Sequence, residues 1–373
     1  MKVSFLTTWN TRCGIADYSK RLMLELSRYC EITTTILNPC FNPLYYRQLG
    51  KKMNHADIAH IQFEYELFNL INPYINNLLA LLEQIKIPKI ITLHSSLPLF
   101  SPCPFSSSLL WNIGTTLRNG LYFPFKDKWQ KKLINNQTLF FVHADKIRRS
   151  LLQSKKECEN VFYVPHPLYE PIMIDDATKM RTEYGLEGKT VLTIFGFIHP
   201  LKGYEVMFDA LTFLPQHVVL IIAGEARTPK NTPYTTFLKK YIYKKRLNNR
   251  IRFTGYLTER EVAEVMAVTD IYVAPFISMN ASGSLSTALS YEKTIIASDL
   301  EPNKEINERF DCLELFAAGD SSDLLRKMSA LLESPKRREC LSKNTQKYKH
   351  LYNFSTFAQE TFKAYSAVIK KTQ

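Results

Sequence analysis

Short runs of β-branched and aromatic residues alternate along the chain with stretches whose apolar positions recur every three to four residues. The first pattern predicts strands at Lys2–Thr7, Glu31–Leu37, Asp57–Gln62, Lys89–Leu93 and Thr138–Val142. A second series follows at Thr190–Phe195, His217–Ala223, Arg250–Thr254, Asp270–Ala274 and Thr294–Ser298. HVVLIIAG and DIYVAP are almost continuously apolar, as suits central parallel strands covered on both faces. The second pattern predicts helices at Tyr18–Ser27, Tyr74–Gln84, Glu205–Leu214, Arg260–Val268 and Ser322–Glu333, with a last one over about Ser355–Lys370. Strand–helix alternation means βαβ units, so the fold class is α/β with parallel sheets. The series restarts near residue 190. Before it lies VPHPLYEPIMIDD, with three prolines and no helical period, which reads as a linker leading to a loop and short helix. The expected division is a Rossmann-like domain over 1–168, a second over 169–354, and a C-terminal helix over 355–373 able to pack back on the first.

A length of 373 residues suits two such domains better than one core. The hydrophobic fraction of 45% and aromatic fraction of 12% fit a packed globular chain. No run of about 18 apolar residues predicts a spanning helix. MKVSFLTTWN lacks the h-region of a secretory signal, so a cytoplasmic protein is expected. The seven cysteines are odd in number and none has CxxC spacing, which argues against a disulfide framework or zinc site. Net charge is +13, with basic clusters at 126–156 and 239–252. These are either patches for phosphorylated or lipid partners or solvated helix faces. No nucleic-acid-binding motif accompanies them, so no nucleic-acid partner is expected. Leu109–Lys132 mixes Trp111, Phe123, Phe125 and Trp129 with lysines. It is either a segment lying on an anionic membrane or a buried helical insertion.

Candidate chemistry follows the strands, where open parallel sheets bind ligands. After the first strand, Thr11–Ala16 forms a turn in which Gly14 lets a ligand approach a helix start. It is no GxGxxG fingerprint, so a dinucleotide cofactor is disfavoured. HIQFEYELF places Glu64, Tyr65 and Glu66 after the third strand, where the acids are either acceptors for sugar hydroxyls or ordinary loop residues. His94 ends the fourth strand, positioned to hydrogen-bond a hydroxyl or move a proton. In TIFGFIHPLKGYEVMFDAL, Gly196 permits close approach, and Lys202 and His199 stand at the strand–helix turn. A lysine at a helix start is disfavoured by the macrodipole, so an anionic ligand explains Lys202 better than solvent does. In APFISMNASGSLSTALSYEKTIIASD, Ser282 is a good N-cap. Gly283, Ser284 and Leu285 are then expected to present free amides with Ser282 to a diphosphate.

CGIADYS, HIQFEYELF, TLH, FGFIHPLKG and ASGSLSTALSYEKTIIAS, in this order over residues 1 to about 300, resemble the retaining glycosyltransferases of family 4, in their bacterial surface-polysaccharide branch. The resemblance implies the GT-B fold, two facing Rossmann-like domains with an interdomain cleft. It implies transfer of a hexose from a GDP- or UDP-sugar to a glycan or lipid-linked acceptor, without a cofactor or metal, at the inner face of a membrane. By the resemblance, His94 and Lys202 are catalytic. Gly14, Gly196, His199, Glu225, Tyr256, Leu257, Ser282, Gly283, Ser284, Leu285 and Thr287 surround the donor. Glu64 and Tyr65 lie on the acceptor side. The sequence departs from the family where Met279 and Thr287 replace two glutamates, and where His199 replaces the arginine that accompanies the lysine. These departures motivate a rival expectation, an inactive scaffold of the same fold.

Overall fold

A computed structural model describes residues 1–10, 13–68, 77–94, 138–152, 160–226, 232–279 and 282–372. The backbone forms two compact units, Met1–Pro167 with Phe354–Gln373, and Leu168–Asn353. Among the described residues no helix is long and apolar enough to cross a membrane.

Unit 1 runs β1 (Lys2–Thr7), α1 (Gly14–Leu26), β2 (Glu31–Ile36), α2 (Pro43–Met53), β3 (Ile58–Phe63), α3 (Tyr65–Phe68), α4 (Asn77–Leu82), β4 (Lys89–Leu93), β5 (Thr138–Val142), α5 (Asp145–Leu152) and β6 (Val161–Tyr163). Its six strands pair in the order β2-β1-β3-β4-β5-β6, all parallel. β3, β4 and β5 are buried along their whole length, which is why they read as continuous apolar runs. The order reverses direction between β1 and β3, so the connections that follow them leave in opposite directions and a crevice opens at their carboxyl ends.

Unit 2 runs α6 (Ala177–Glu183), β7 (Thr190–Phe195), a 3-10 turn (Pro200–Lys202), α7 (Tyr204–Phe213), β8 (Val218–Ala223), α8 (Thr232–Lys244), β9 (Ile251–Phe253), α9 (Glu259–Val268), β10 (Ile271–Ala274), α10 (Gly283–Ser290), β11 (Thr294–Ser298), α11 (Glu301–Phe310), β12 (Glu314–Phe316), α12 (Ser321–Glu333) and α13 (Pro335–Leu351). The parallel order is β12-β11-β10-β7-β8-β9, with the switch between β7 and β10. Capping fixes where these helices begin. Thr258 and Glu261 form a reciprocal capping box on α9, and Asp320 accepts from Ser322 and Asp323 at α12.

The last helix, α14 (Phe354–Thr372), returns to unit 1 and packs on α1. Phe362 stacks on Tyr29 at 5.5 Å, and Phe354 meets Tyr18 edge-on at 5.3 Å.

The two sheets are the α/β, GT-B type of architecture expected from the sequence. Two edge strands escaped the sequence pattern. β6 and β12 have three residues each, too few to display a period; β9 is as short, but it lies within the longer run Arg250–Thr254. α11 and α13 escaped for another reason. They bury only Pro302 and Asn303, and Leu341, Thr345 and Tyr348, so they carry little apolar stripe.

In unit 1, α2 meets α4 at Gly50, where an added Cβ would lie 2.4 Å from the Leu81 carbonyl oxygen and 2.9 Å from Gln84 Cβ. Gly50→Ala therefore forces the helices apart. The expected cost is about 1–3 kcal/mol, read as a lower urea midpoint with unchanged slope.

Candidate functional site

The loops that follow β10, β7, β8 and β9 emerge side by side at the carboxyl edge of the unit 2 sheet, because those four strands are neighbours. The region around Lys202 is built at the switch point from the first two. β7 ends at Phe195, and its carbonyl accepts from Lys202 Nζ at 2.7 Å. Ser284, in the first turn of α10, accepts from the same Nζ at 2.8 Å. The Phe276 ring, following β10, lies beneath the ammonium with its centroid at 4.9 Å. Among the described residues no carboxylate pairs with Lys202; burial, uncompensated by any acid, lowers its pKa from 10.5 to about 7.

Gly196 makes room for this arrangement. Its φ is +107°, and an added Cβ would lie 2.9 Å from Lys202 Nζ and 3.2 Å from Ser284 Cβ. At the start of α10, Ser282 Oγ lies 2.9 Å from Ser284 Oγ and accepts from the Leu285 amide at 3.2 Å. This corrects the expectation of a free Leu285 amide. An N-cap side chain engages the third helical amide, and the Leu285 side chain is buried in the core. The amides of Gly283 and Ser284 belong to the set that a helix cannot bond within itself. Thr287 also turns inward on its helix, its hydroxyl donating to the Gly283 carbonyl at 3.0 Å.

His199 is exposed, and its Nδ1 accepts from the Leu201 amide at 3.2 Å, capping the turn that carries Lys202. Its ring thus helps place the lysine. Glu225 follows β8, and its carbonyl accepts from Ile198 at 2.8 Å, tying together the loops after β7 and β8. Tyr256 is exposed and Leu257 partly buried after β9, further along the same edge. Phe276 was not singled out in the sequence, although it follows a predicted strand directly.

In unit 1, Gly14 is the exposed first residue of α1, Glu64 is part-buried after β3, and His94 continues β4, its amide donating to Phe63 O at 3.0 Å. Tyr65 lies in α3, and its side chain is outside the described residues, as are Glu66's side chain, Asn280, Leu109–Lys132 and most of the basic stretch 126–156. Within that stretch, Asp145 holds Arg148 at 2.6 Å and Arg149 at 2.8 Å. In the second basic cluster, Arg250 donates to three carbonyls, those of Val218, Leu211 and Pro215, and Lys245 pairs with Asp209 at 2.7 Å. These cations brace the fold.

His94 belongs to an aromatic group that the sequence did not reveal. Tyr18 packs against His94, His143 and His166, with ring centroids at 4.7, 5.4 and 5.4 Å. His143 Nδ1 donates to Val164 O at 2.8 Å, so its Nε2 accepts from the Tyr18 hydroxyl at 2.9 Å. Burial, and then mutual repulsion, keeps His94 neutral with a pKa of about 3; burial holds His166 at about 4 and pushes His143 well below its usual value.

Two Rossmann-like parallel sheets, with Lys202 held at the switch point of the second, define the class: an α/β protein with the GT-B type of fold. Residues 176–348, most of unit 2, match the family model of glycosyl transferases group 1, in agreement with the resemblance carried by the motifs. The phosphatidyl-myo-inositol mannosyltransferase of Mycobacterium leprae (strain TN) is 28% identical over 185 residues, 48% of this chain and 47% of that protein. The N,N'-diacetylbacillosaminyl-diphospho-undecaprenol alpha-1,3-N-acetylgalactosaminyltransferase of Campylobacter jejuni is 26% identical over 170 residues, 45% and 42% of the two chains. The match thus spans about half the length of these curated relatives. Among solved structures, Anabaena Alr3699/HepE in complex with UDP-glucose superposes with a TM-score of 0.74 at 17% identity, over 98% of this chain and 100% of that one. It shares the fold.

The neutral histidines make unit 1 acid-sensitive. Their folded pKa values lie below the unfolded value of 6.5, so the stability they contribute is complete above pH 6.5 and is lost as pH falls towards 4. Fully buried His60, with a pKa of about 3, is expected to cost about 1–2 kcal/mol by pH 5, and His143 adds a loss in the same direction. Urea unfolding at pH 7.5 and 5 measures this, and His143→Asn is expected to flatten the dependence.

Proposed function

We propose that the chain is a glycosyltransferase that moves a hexose from a nucleotide diphosphate sugar to a glycan or lipid-linked acceptor, with retention of anomeric configuration. The observation that carries this reading is the Lys202 ammonium, half-buried against a carbonyl, a hydroxyl and a ring, with no acid paired to it among the described residues. A diphosphate supplies the missing charge. As the bond from sugar to phosphate breaks, negative charge grows on the leaving phosphate, where Lys202 and the start of α10 stabilise it more than in the ground state. Ser284 orients the lysine, and Gly196 lets the phosphates approach. Glu225, Tyr256 and Leu257 line the path towards the nucleobase. His94 stands for the sugar side of the reaction, and Glu64 and Tyr65 for the acceptor.

UDP-glucose is the first donor to try, because the Anabaena structure is a complex with it. GDP-mannose follows, on the strength of the mannosyltransferase relative. The mannosyltransferase and the N-acetylgalactosaminyltransferase above are named for lipid acceptors, which favours a lipid-linked acceptor and a peripheral position on an anionic membrane.

Saturation-transfer NMR against UDP-, GDP- and ADP-sugars tests the reading. One donor is expected to bind, and Lys202→Ala is expected to abolish binding and lower transfer by about 100-fold or more. Binding by none of them, in folded protein, contradicts it. A bound donor that is never transferred favours the inactive scaffold.

Proton linkage gives a second test. A lysine with a pKa of about 7 is half-charged near neutrality, and a bound diphosphate favours its charged form. Affinity is therefore expected to fall as pH rises above 7, approaching about tenfold per pH unit. Calorimetry at pH 7 in buffers of different ionisation enthalpy is expected to show uptake of about half a proton, absent in Lys202→Ala.

A further inference from the structure

The motif His60-x-Gln62 on β3 is left unexplained by the donor site. Residues two apart on a strand share a face, so His60 and Gln62 project together. β4 runs beside β3 with Thr92 opposite Gln62, which places Thr92 and His94 on the adjoining row. α14 covers His60, and Tyr365 reaches its ring. His60, Gln62, Thr92 and Tyr365 are all fully buried. Polar groups in such a place are costly unless each is bonded, and apolar residues would fill the layer at less cost. The bonds therefore point to orientation as their purpose.

They form one directed chain. His94 Nε2 lies 2.7 Å from Gln62 Oε1, and an amide oxygen only accepts, so Nε2 carries the proton of the neutral ring. Gln62 Nε2 lies 3.2 Å from His60 Nε2 and only donates, so that ring nitrogen accepts. Thr92 Oγ1 approaches the same nitrogen at 2.8 Å. The proton of His60 then sits on Nδ1, which donates to Tyr365 Oη at 2.6 Å. Burial keeps His60 neutral, with a pKa of about 3, so only one of its nitrogens is protonated.

We propose that Gln62, His60 and Tyr365 are positioning residues that hold the His94 ring in one orientation and as the Nε2–H tautomer, presenting Nδ1 as an acceptor for a hydroxyl of the sugar or acceptor. The inference rests on the reading of His94 as a residue of the sugar site. It gives α14 a role in the chemistry of unit 1, through a chain of side chains that begins 305 residues away in sequence.

Two-bond 1H–15N correlation spectra of the histidine-labelled protein at pH 7.5 test the relay without any substrate, with His94 assigned from His94→Asn. The wild type is expected to show His94 protonated at Nε2 alone. Gln62→Met, which keeps length but neither donates nor accepts, is expected to give mixed tautomers. Tyr365→Phe keeps the ring and removes the terminal hydroxyl, and is expected to shift the populations in the same direction. Thermal melts establish that each variant is folded. With the donor in hand, Gln62→Met is expected to lower kcat by at least about tenfold while the donor KM changes by less than about threefold. A wild-type His94 protonated at Nδ1, or a tautomer unchanged in both variants, overturns the proposal. Tautomers that shift as expected while transfer stays at the wild-type rate uphold the relay but remove His94 from the sugar site, so the two failures are separable.

Discussion

An ammonium held between the end of β7 and the start of α10, with no carboxylate paired to it among the described residues, is the constraint around which this part of unit 2 is arranged. Removing such a charge from water costs several kcal/mol unless an opposite charge replaces the solvent. Natural cores avoid that cost by pairing the charge or deleting it. Here the surroundings do neither. They supply one carbonyl, one hydroxyl and one ring face, enough to aim the lysine but too little to neutralise it. A site of this kind is preorganised for an anion, and its electrostatics are strongest when the charge it meets is growing.

The sheet topology makes the arrangement possible. Because β7 and β10 are neighbours whose connections leave in opposite directions, the strand end carrying Phe195 and Gly196 lies beside the helix start carrying Ser282 and Ser284. Lys202 arrives from the turn after β7, which His199 caps. The replacement of the family's arginine by His199 thus has a local structural meaning. Its ring serves the turn, and the positive charge of the seat falls to Lys202.

Much of this was legible in the sequence. Buried strands such as Val218–Ala223 announce themselves because both faces are covered, and Ser282 before Gly283 reads as an N-cap by residue type. Lys202 could be placed because a strand, a glycine and a helix start bracket it. The rest was hidden for physical reasons. The three-residue edge strands β6 and β12 display no period, and no longer run encloses them as Arg250–Thr254 encloses β9. α13 is nearly polar all round and is recognised by its contacts rather than its pattern. The histidine group of unit 1 needs residues from β3, β4, the end of β5, the linker and α14, which only the folded chain brings together. His94 alone was singled out from it, because it alone ends a predicted strand in a recognisable block.

A crystal structure of the protein with UDP-glucose, or with the donor that binding selects, decides whether Lys202 receives a diphosphate. The diphosphate is expected within hydrogen-bond distance of Lys202 Nζ and of the Gly283 and Ser284 amides, with Ser284 still holding the lysine. A donor bound elsewhere, with Lys202 keeping only its contacts to Phe195 and Ser284, would contradict it.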